Sequence, residues 1–157
     1  MAIDKVREYF KKWNKDSDIL EFSISSATVE LAAEAVGVIP ARIAKTLSFR
    51  DNNDGCMLIV TAGDAKIDNS KFKQFFKMKA RMLTADEVLY YTGHAIGGVC
   101  PFAIENPNVK TYCDISLKRF ETVFPACGSS NSAIELTCSE LFEYSKALEW
   151  IDVCKNW

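Results

Sequence analysis

The run Ile43-Ala44-Lys45-Thr46-Leu47-Ser48-Phe49 alternates with period two, and it is followed closely by an apolar run from Cys56 to Ala62. Between them lies Asp51-Asn52-Asn53-Asp54-Gly55, a cluster of turn-forming residues. Two strands joined through such a turn read as a hairpin, and a hairpin of this length needs further strands and covered faces. The centre of the chain is thereby committed to β-structure, with Ile43, Lys45, Leu47 and Phe49 sharing one face.

The flanks read differently. Asp4 to Trp13 places Val6, Phe10 and Trp13 on one side of a helix, with Lys5, Arg7, Lys11 and Lys12 mostly elsewhere. Leu20 to Ile24 alternates as a strand. Thr28 caps a helix to about Val36, and Gly37 supplies its left-handed stop. Asp68 caps a helix bearing Phe72, Phe75 and Phe76, and Arg81 to Leu83 forms a short strand. Thr84 and Glu87 make a capping box for a helix ending at Gly93. After a loop from Gly93 to Phe102 come strands at Val109 to Cys113, Thr122 to Ala126 and Ala133 to Leu136. A second capping box, Thr137 with Glu140, opens a last helix to about Ser145. Helices interspersed with strands, without repeats or a linker, predict one α+β domain spanning residues 1–157.

A chain of 157 residues has room for one ordinary domain and buries roughly 70% of its unfolded surface. A net charge of -2 excludes a uniformly basic coat but not a local basic patch. The N-terminus lacks the apolar stretch of a signal peptide, and no run reaches the roughly 18 apolar residues of a membrane span. The expected address is therefore cytoplasmic, with no membrane partner. There the six cysteines are expected to stay reduced. No C-x-x-C spacing occurs and His94 is the single histidine, so neither a metal site nor a cofactor is expected.

Three features could carry chemistry. Lys45 stands on a face that should look inward, where an ammonium needs a partner or a wet cavity. It either snorkels to the sheet edge or offers a cation at a pocket wall. The loop Gly93-His94-Ala95-Ile96-Gly97-Gly98-Val99-Cys100-Pro101-Phe102 carries paired glycines, which let backbone amides approach a ligand, or simply serve a connection that needs positive φ. His94 and Cys100 also have the make-up of a base and nucleophile pair, although a loop-anchoring histidine and a buried thiol are the commoner explanation of such residues. Finally, Lys66, Lys71, Lys73, Lys77, Lys79 and Arg81 face Asp68 alone over sixteen residues. Lys73 and Lys77, one turn apart, form either a solvated helix face or a phosphate-backbone contact.

These stretches together resemble the YbaK/EbsC family of aminoacyl-tRNA deacylases, whose fold is also that of the editing domain of bacterial prolyl-tRNA synthetases. The resemblance runs through TVELAAEAVG (28–37), IAKTLSF (43–49), AGDAKID (62–68), GHAIGGVCPF (93–102), YCDISL (112–117) and IELTCSEL (134–141), over about residues 20–145. It implies a single domain with a mixed, mostly antiparallel, barrel-like sheet and peripheral helices. It implies that Lys45 orients the terminal aminoacyl-adenosine and that Gly97 and Gly98 hold the aminoacyl carbonyl through backbone amides. Thr28, His94, Val99, Cys100, Pro101, Phe102, Gly128 and Ser129 would border the substrate, and Lys66, Lys73 and Lys77 would meet the tRNA. The implied partners are an aminoacyl-tRNA and prolyl-tRNA synthetase, and the implied targets Cys- or Ala-tRNA(Pro), with no metal. An aminoacyl ester is already activated, so positioning and carbonyl polarisation suffice to hydrolyse it.

The sequence departs from the family pattern at Cys100, where relatives commonly carry Ser, and at Ala103, where Gly often stands. Gly128-Ser129-Ser130-Asn131-Ser132 replaces the usual Gly-Lys-Arg-Gly. A non-catalytic tRNA- or synthetase-binding module of the same fold is the alternative that this last change motivates.

Overall fold

The computed structural model describes residues 2–157. Helix α1 (Ala2–Phe10) runs into a 3-10 turn at Lys11–Trp13, and β1 (Leu20–Glu21) and α2 (Val29–Val36) follow. Next come the hairpin strands β2 (Ile43–Arg50) and β3 (Cys56–Ala62), then β4 (Lys66–Ile67), α3 (Asn69–Phe76) and α4 (Ala85–Thr92). The remainder comprises β5 (Val109–Asp114), β6 (Thr122–Pro125), β7 (Ser132–Ala133), β8 (Leu136–Thr137), α5 (Cys138–Tyr144), β9 (Trp150–Ile151) and β10 (Cys154–Lys155). The main sheet has the order β8-β6-β2-β3-β5-β9 and curls into a half-barrel. Its longest ladder is the expected hairpin, antiparallel from Ala44 opposite Ala62 to Arg50 opposite Cys56. β6 joins β2 in parallel, as β5 joins β3, so the sheet is mixed.

Local chemistry sets the helix starts. Thr28 Oγ1 accepts the Leu31 N–H at 3.2 Å, and both capping boxes close, Thr84 with Glu87 and Thr137 with Glu140. The sheet is covered on both faces. Phe72 of α3 packs its ring 5.1 Å from Phe49, and Ala32 and Ala33 of α2 gather with Ile43. Both contacts lie on the odd-numbered face of β2. On the other face Val88 of α4 clusters with Leu58, which stands opposite Ser48. Helix α1 buries Val6 and Phe10 completely, with Phe10 against Phe102 at 4.8 Å.

The sequence-based expectations fail where a strand is defined by its partner. The strand expected over Leu20 to Ile24 is paired only at Leu20 and Glu21, after which the chain is tied to Ser130 and Asn131 by isolated hydrogen bonds. Arg81 to Leu83 reduces to one bridge, Met82 to Phe49. The segment Ala133 to Leu136 splits between β7, paired to β1, and β8, paired to β6. Strands β4, β9 and β10 have two residues each, too few to show a period.

Candidate active site

The parallel pairing of β6 to β2 stops at Ala44. Further along the same edge, Arg50 N–H donates to Arg81 O at 2.8 Å and Leu83 N–H to Ser48 O at 3.3 Å. Between these attachments no strand among the described residues pairs with this edge of β2, and period two turns the backbone groups of Thr46 toward this gap. A cavity of about 250 Å³ opens over it. Thr28, Val29 and Ala32 at the start of α2 form one wall. Ile96, Gly97 and Val99 form another, Leu83 and Val88 a third, and Phe124, Ala126 and Ser132 the last.

Lys45 is the single charged residue of this lining. The side chain is half-buried, and Nζ donates to the backbone carbonyls of Gly63, at 3.4 Å, and Ala65. Among the described residues no carboxylate forms an ion pair with it. Burial pushes its pKa below the ordinary lysine value, partly offset by Cys154 and Asp64 nearby. The ammonium thus keeps a proton-donating capacity that neutral carbonyls engage but do not neutralise.

Its support has a steric origin that the sequence reading missed. A Cβ on Gly63 would lie 2.1 Å from Pro40 O and 2.6 Å from Val29 Cγ1. Only glycine lets the segment after β3 approach so closely, and that approach presents the carbonyls to Lys45.

The glycine loop divides its roles. Gly97, at φ +98°, lines the cavity beside Ala27. Gly98 packs against the backbone of Ser129, with a Cβ there only 2.7 Å from Ser129 N, and its own N–H is taken by Ala95 O at 3.1 Å. The expected pair of carbonyl-holding amides is therefore not formed in this geometry, because the Gly98 amide closes its own loop. Thr28 and Val99 line the cavity, whereas His94, Cys100, Pro101 and Phe102 lie outside its lining and are buried. Gly128 and Ser129 are also outside it. Gly128 lies against Ala2, where a Cβ would come within 3.0 Å of the carbonyl carbon.

The segment after Gly128 acts as a clamp. Ser130 O accepts from Ser26 N–H, and Asn131 bonds the backbone of Phe22 through its own carbonyl and through Nδ2. It ties the chain before α2 over the cavity, with Ser130 contributing a backbone carbonyl and Asn131 its side chain as well.

Cys100 and His94 do meet, with Sγ 3.4 Å from Nε2. That ring nitrogen is also 2.8 Å from the Phe102 carbonyl, which accepts only a proton-bearing Nε2. It therefore cannot take the thiol proton. Burial pushes the Cys100 thiol up to about 12 and holds His94 below its ordinary value. The pair is an inert core contact. Iodoacetamide is expected to leave the native protein unmodified at this thiol. Rapid alkylation of Cys100 in the folded protein restores the cysteine-nucleophile reading.

Lys66 is exposed and directly follows Ala65, whose carbonyl takes Lys45. Lys73 is exposed on α3, but α3 ends at Phe76 and Lys77 caps it at φ +59°, so the two do not share a helical face. Lys71 is paired to Asp152 at 3.0 Å, while Lys73, Lys77 and Lys79 make no ion pair among the described residues.

The model of the aminoacyl-tRNA editing domain matches residues 25–144, which contain every wall of the cavity. The chain belongs to the aminoacyl-tRNA editing domain family. Its relatives include the Bacillus subtilis protein YwhH, of uncharacterised function, 60% identical over all of this chain and 99% of that one. EbsC of Enterococcus faecalis, described as a candidate Cys-tRNA(Pro)/Cys-tRNA(Cys) deacylase, is 26% identical over 83% of this chain and 74% of its own. A solved structure described as a candidate trans-editing enzyme for prolyl tRNA synthetase superposes with a TM-score of 0.87 at 27% identity, covering 98% of this chain and 97% of that one. The editing-domain fold is thus common to this chain and that protein. Among the described residues no three of His, Cys, Asp and Glu gather as a metal site, and no helix is long and apolar enough to cross a membrane.

Proposed function

We propose that the cavity receives the terminal aminoacyl group of a misacylated tRNA and hydrolyses its ester, as a trans-editing factor in the cytoplasm. The observation that supports it best is Lys45. It is a lone ammonium at the wall of an otherwise uncharged cavity, held by two carbonyls and short of a counter-charge. Such a cation stabilises negative charge on the ester carbonyl oxygen more strongly than it would in water. Water attacks the carbonyl carbon, the bond to the ribose oxygen breaks as that oxygen takes one proton of the water, and the second proton passes from the new carboxylic acid to solvent. The cavity is of a size for a small acyl group, in keeping with Cys- or Ala-tRNA(Pro) as targets. Prolyl-tRNA synthetase is the corresponding partner.

The test is deacylation of a panel of mischarged tRNAs by the purified protein. Turnover of at least one of them supports the reading. Tight tRNA binding with no turnover of any favours the non-catalytic module.

The unpaired lysines offer cations to the tRNA backbone. Reversing Lys73 and Lys77 to Glu is expected to weaken tRNA binding and to flatten the slope of log K against log salt by about 2. Unchanged binding in a salt titration returns them to an ordinary solvated surface.

A further inference from the structure

Lys45 lacks a counter-charge although a carboxylate stands in the very loop that holds it. Asp64 lies between Gly63 and Ala65, the two residues whose carbonyls take Nζ. Covalent geometry therefore keeps the Asp64 Cα within about 6 Å of the ammonium. The carboxylate instead engages Arg119. Nη1 donates to Oδ2 at 3.0 Å and Nη2 to Oδ1 at 2.6 Å, so one guanidinium fork occupies both oxygens. Arg119, with Lys45 adding to its pull, holds the Asp64 carboxyl below its ordinary pKa, so the carboxylate is charged at neutral pH.

The fork is itself fixed. Arg119 ends the 3-10 turn Ile115–Arg119 after β5, where Nε donates to Ser116 O at 2.9 Å. The guanidinium carbon lies 5.0 Å from the Phe120 ring and 5.2 Å from the Trp157 ring. Ser116 N–H donates to the buried Asp114 carboxylate at 2.9 Å, and Ser116 Oγ accepts from Ala62 N–H at 3.1 Å. The turn that carries Arg119 is thus bolted to the end of β3, one residue before Gly63.

We infer, on the basis of the deacylase reading, that Arg119 is a positioning residue for Lys45: by occupying both oxygens of Asp64 it keeps that carboxylate off the ammonium. Without the guanidinium, Asp64 is an uncompensated negative charge beside Lys45. It draws the ammonium toward itself or cancels its field across the short gap. In both cases the ester oxygen loses the positive field that stabilises its developing charge. The other groups that act on Lys45 are Lys66 on β4, Glu30 on α2 and the Cys154 thiol on β10, and all of them stay in place when Arg119 is changed.

The experiment compares the wild type with Arg119→Met, Asp64→Asn and the double variant. Methionine keeps an apolar stem beside Phe120 and Trp157 and removes the charge. The Lys45 pKa is read by NMR of isotope-labelled lysine, assigned with Lys45→Met, and kcat/KM is measured on a mischarged tRNA at neutral pH. Arg119→Met is expected to raise the Lys45 pKa and to lower kcat/KM by at least about tenfold. Asp64→Asn is expected to move the pKa the opposite way, downward. The double variant is expected to bring the pKa back toward the wild-type value and kcat/KM back to within about threefold of wild type. An unchanged or lowered Lys45 pKa in Arg119→Met overturns the inference. So does a double variant as slow as Arg119→Met, which makes the ion pair a clamp on the fold alone. Asp64→Asn decides the matter even where Arg119→Met fails to fold, because an unmoved Lys45 pKa in it shows that Asp64 has nothing to be withheld from. Absence of hydrolysis of every ester counts against the deacylase reading alone, since the Lys45 pKa values still decide whether Arg119 shields the lysine from Asp64.

Discussion

Lys45→Ala is expected to lower kcat/KM for aminoacyl ester hydrolysis by at least about 100-fold, the scale of removing a principal donor to a developing oxyanion. The cavity has no second charge to take over, since the rest of its lining is neutral. The same residue is a liability to the fold. Burial lowers its pKa, so the folded state holds this proton less tightly than the unfolded chain does. The resulting destabilisation is present in full below the folded pKa, and it fades as pH rises through that value toward the ordinary 10.5. Lys45→Met, which keeps the stem and removes the charge, is therefore expected to raise Tm at neutral pH, with the gain shrinking under alkaline conditions. Wild-type activity, corrected for spontaneous ester hydrolysis, should decline with a midpoint below 10.5 as the ammonium is lost. A fully active Lys45→Ala protein sinks the assignment. A Tm that falls in Lys45→Met shows instead that the ammonium's bonds to Gly63 and Ala65 outweigh its burial.

Much of this arrangement is local, and local features are legible in a sequence. The hairpin follows from period two and a turn of Asp, Asn and Gly, and the helix starts follow from Thr and Asp caps whose bonds span three residues. Lys45 is visible because a charge interrupts an apolar face. The cavity itself is not local. It exists because β6 leaves β2 after Ala44 and the Arg81–Leu83 segment rejoins it only at Ser48, two distant partners whose end points no pattern encodes. Thr46 and Ser26 therefore read as ordinary strand and loop residues until that gap is seen. The glycine loop illustrates the converse. Its composition announces close backbone approach, but whether an amide meets a substrate or another loop depends on what stands opposite. Opposite Gly98 stands Ser129. Cys100 and His94 are adjacent as their types invite, yet their chemistry is decided by the Phe102 carbonyl and by burial, neither of which spacing reports.

The hydrogen-bonding of Lys45 also fixes what the AGDAKID stretch is for. Gly63 does not need positive φ; it needs space, because Pro40 O and Val29 leave none for a methyl group. Pro40 belongs to the rigid turn that launches β2, and Val29 to the helix that walls the cavity. Neither can retreat without moving the site. Gly63→Ala is expected to destabilise the protein by about 4 kcal/mol or more, the range of severe backbone overpacking. Gly37 supplies the contrast, with open space around it but φ of +84°. Gly37→Ala should cost only about 1–2 kcal/mol of left-handed strain. Thermal unfolding of the two variants thus ranks crowding against strain, and the opposite order removes the steric argument. In Gly63→Ala protein that remains folded at low temperature, displaced carbonyls hold the ammonium less well. The Lys45 pKa falls further, and the alkaline decline in activity moves to lower pH. A merely destabilised enzyme loses amplitude at every pH; one whose lysine has lost its carbonyls shifts its profile.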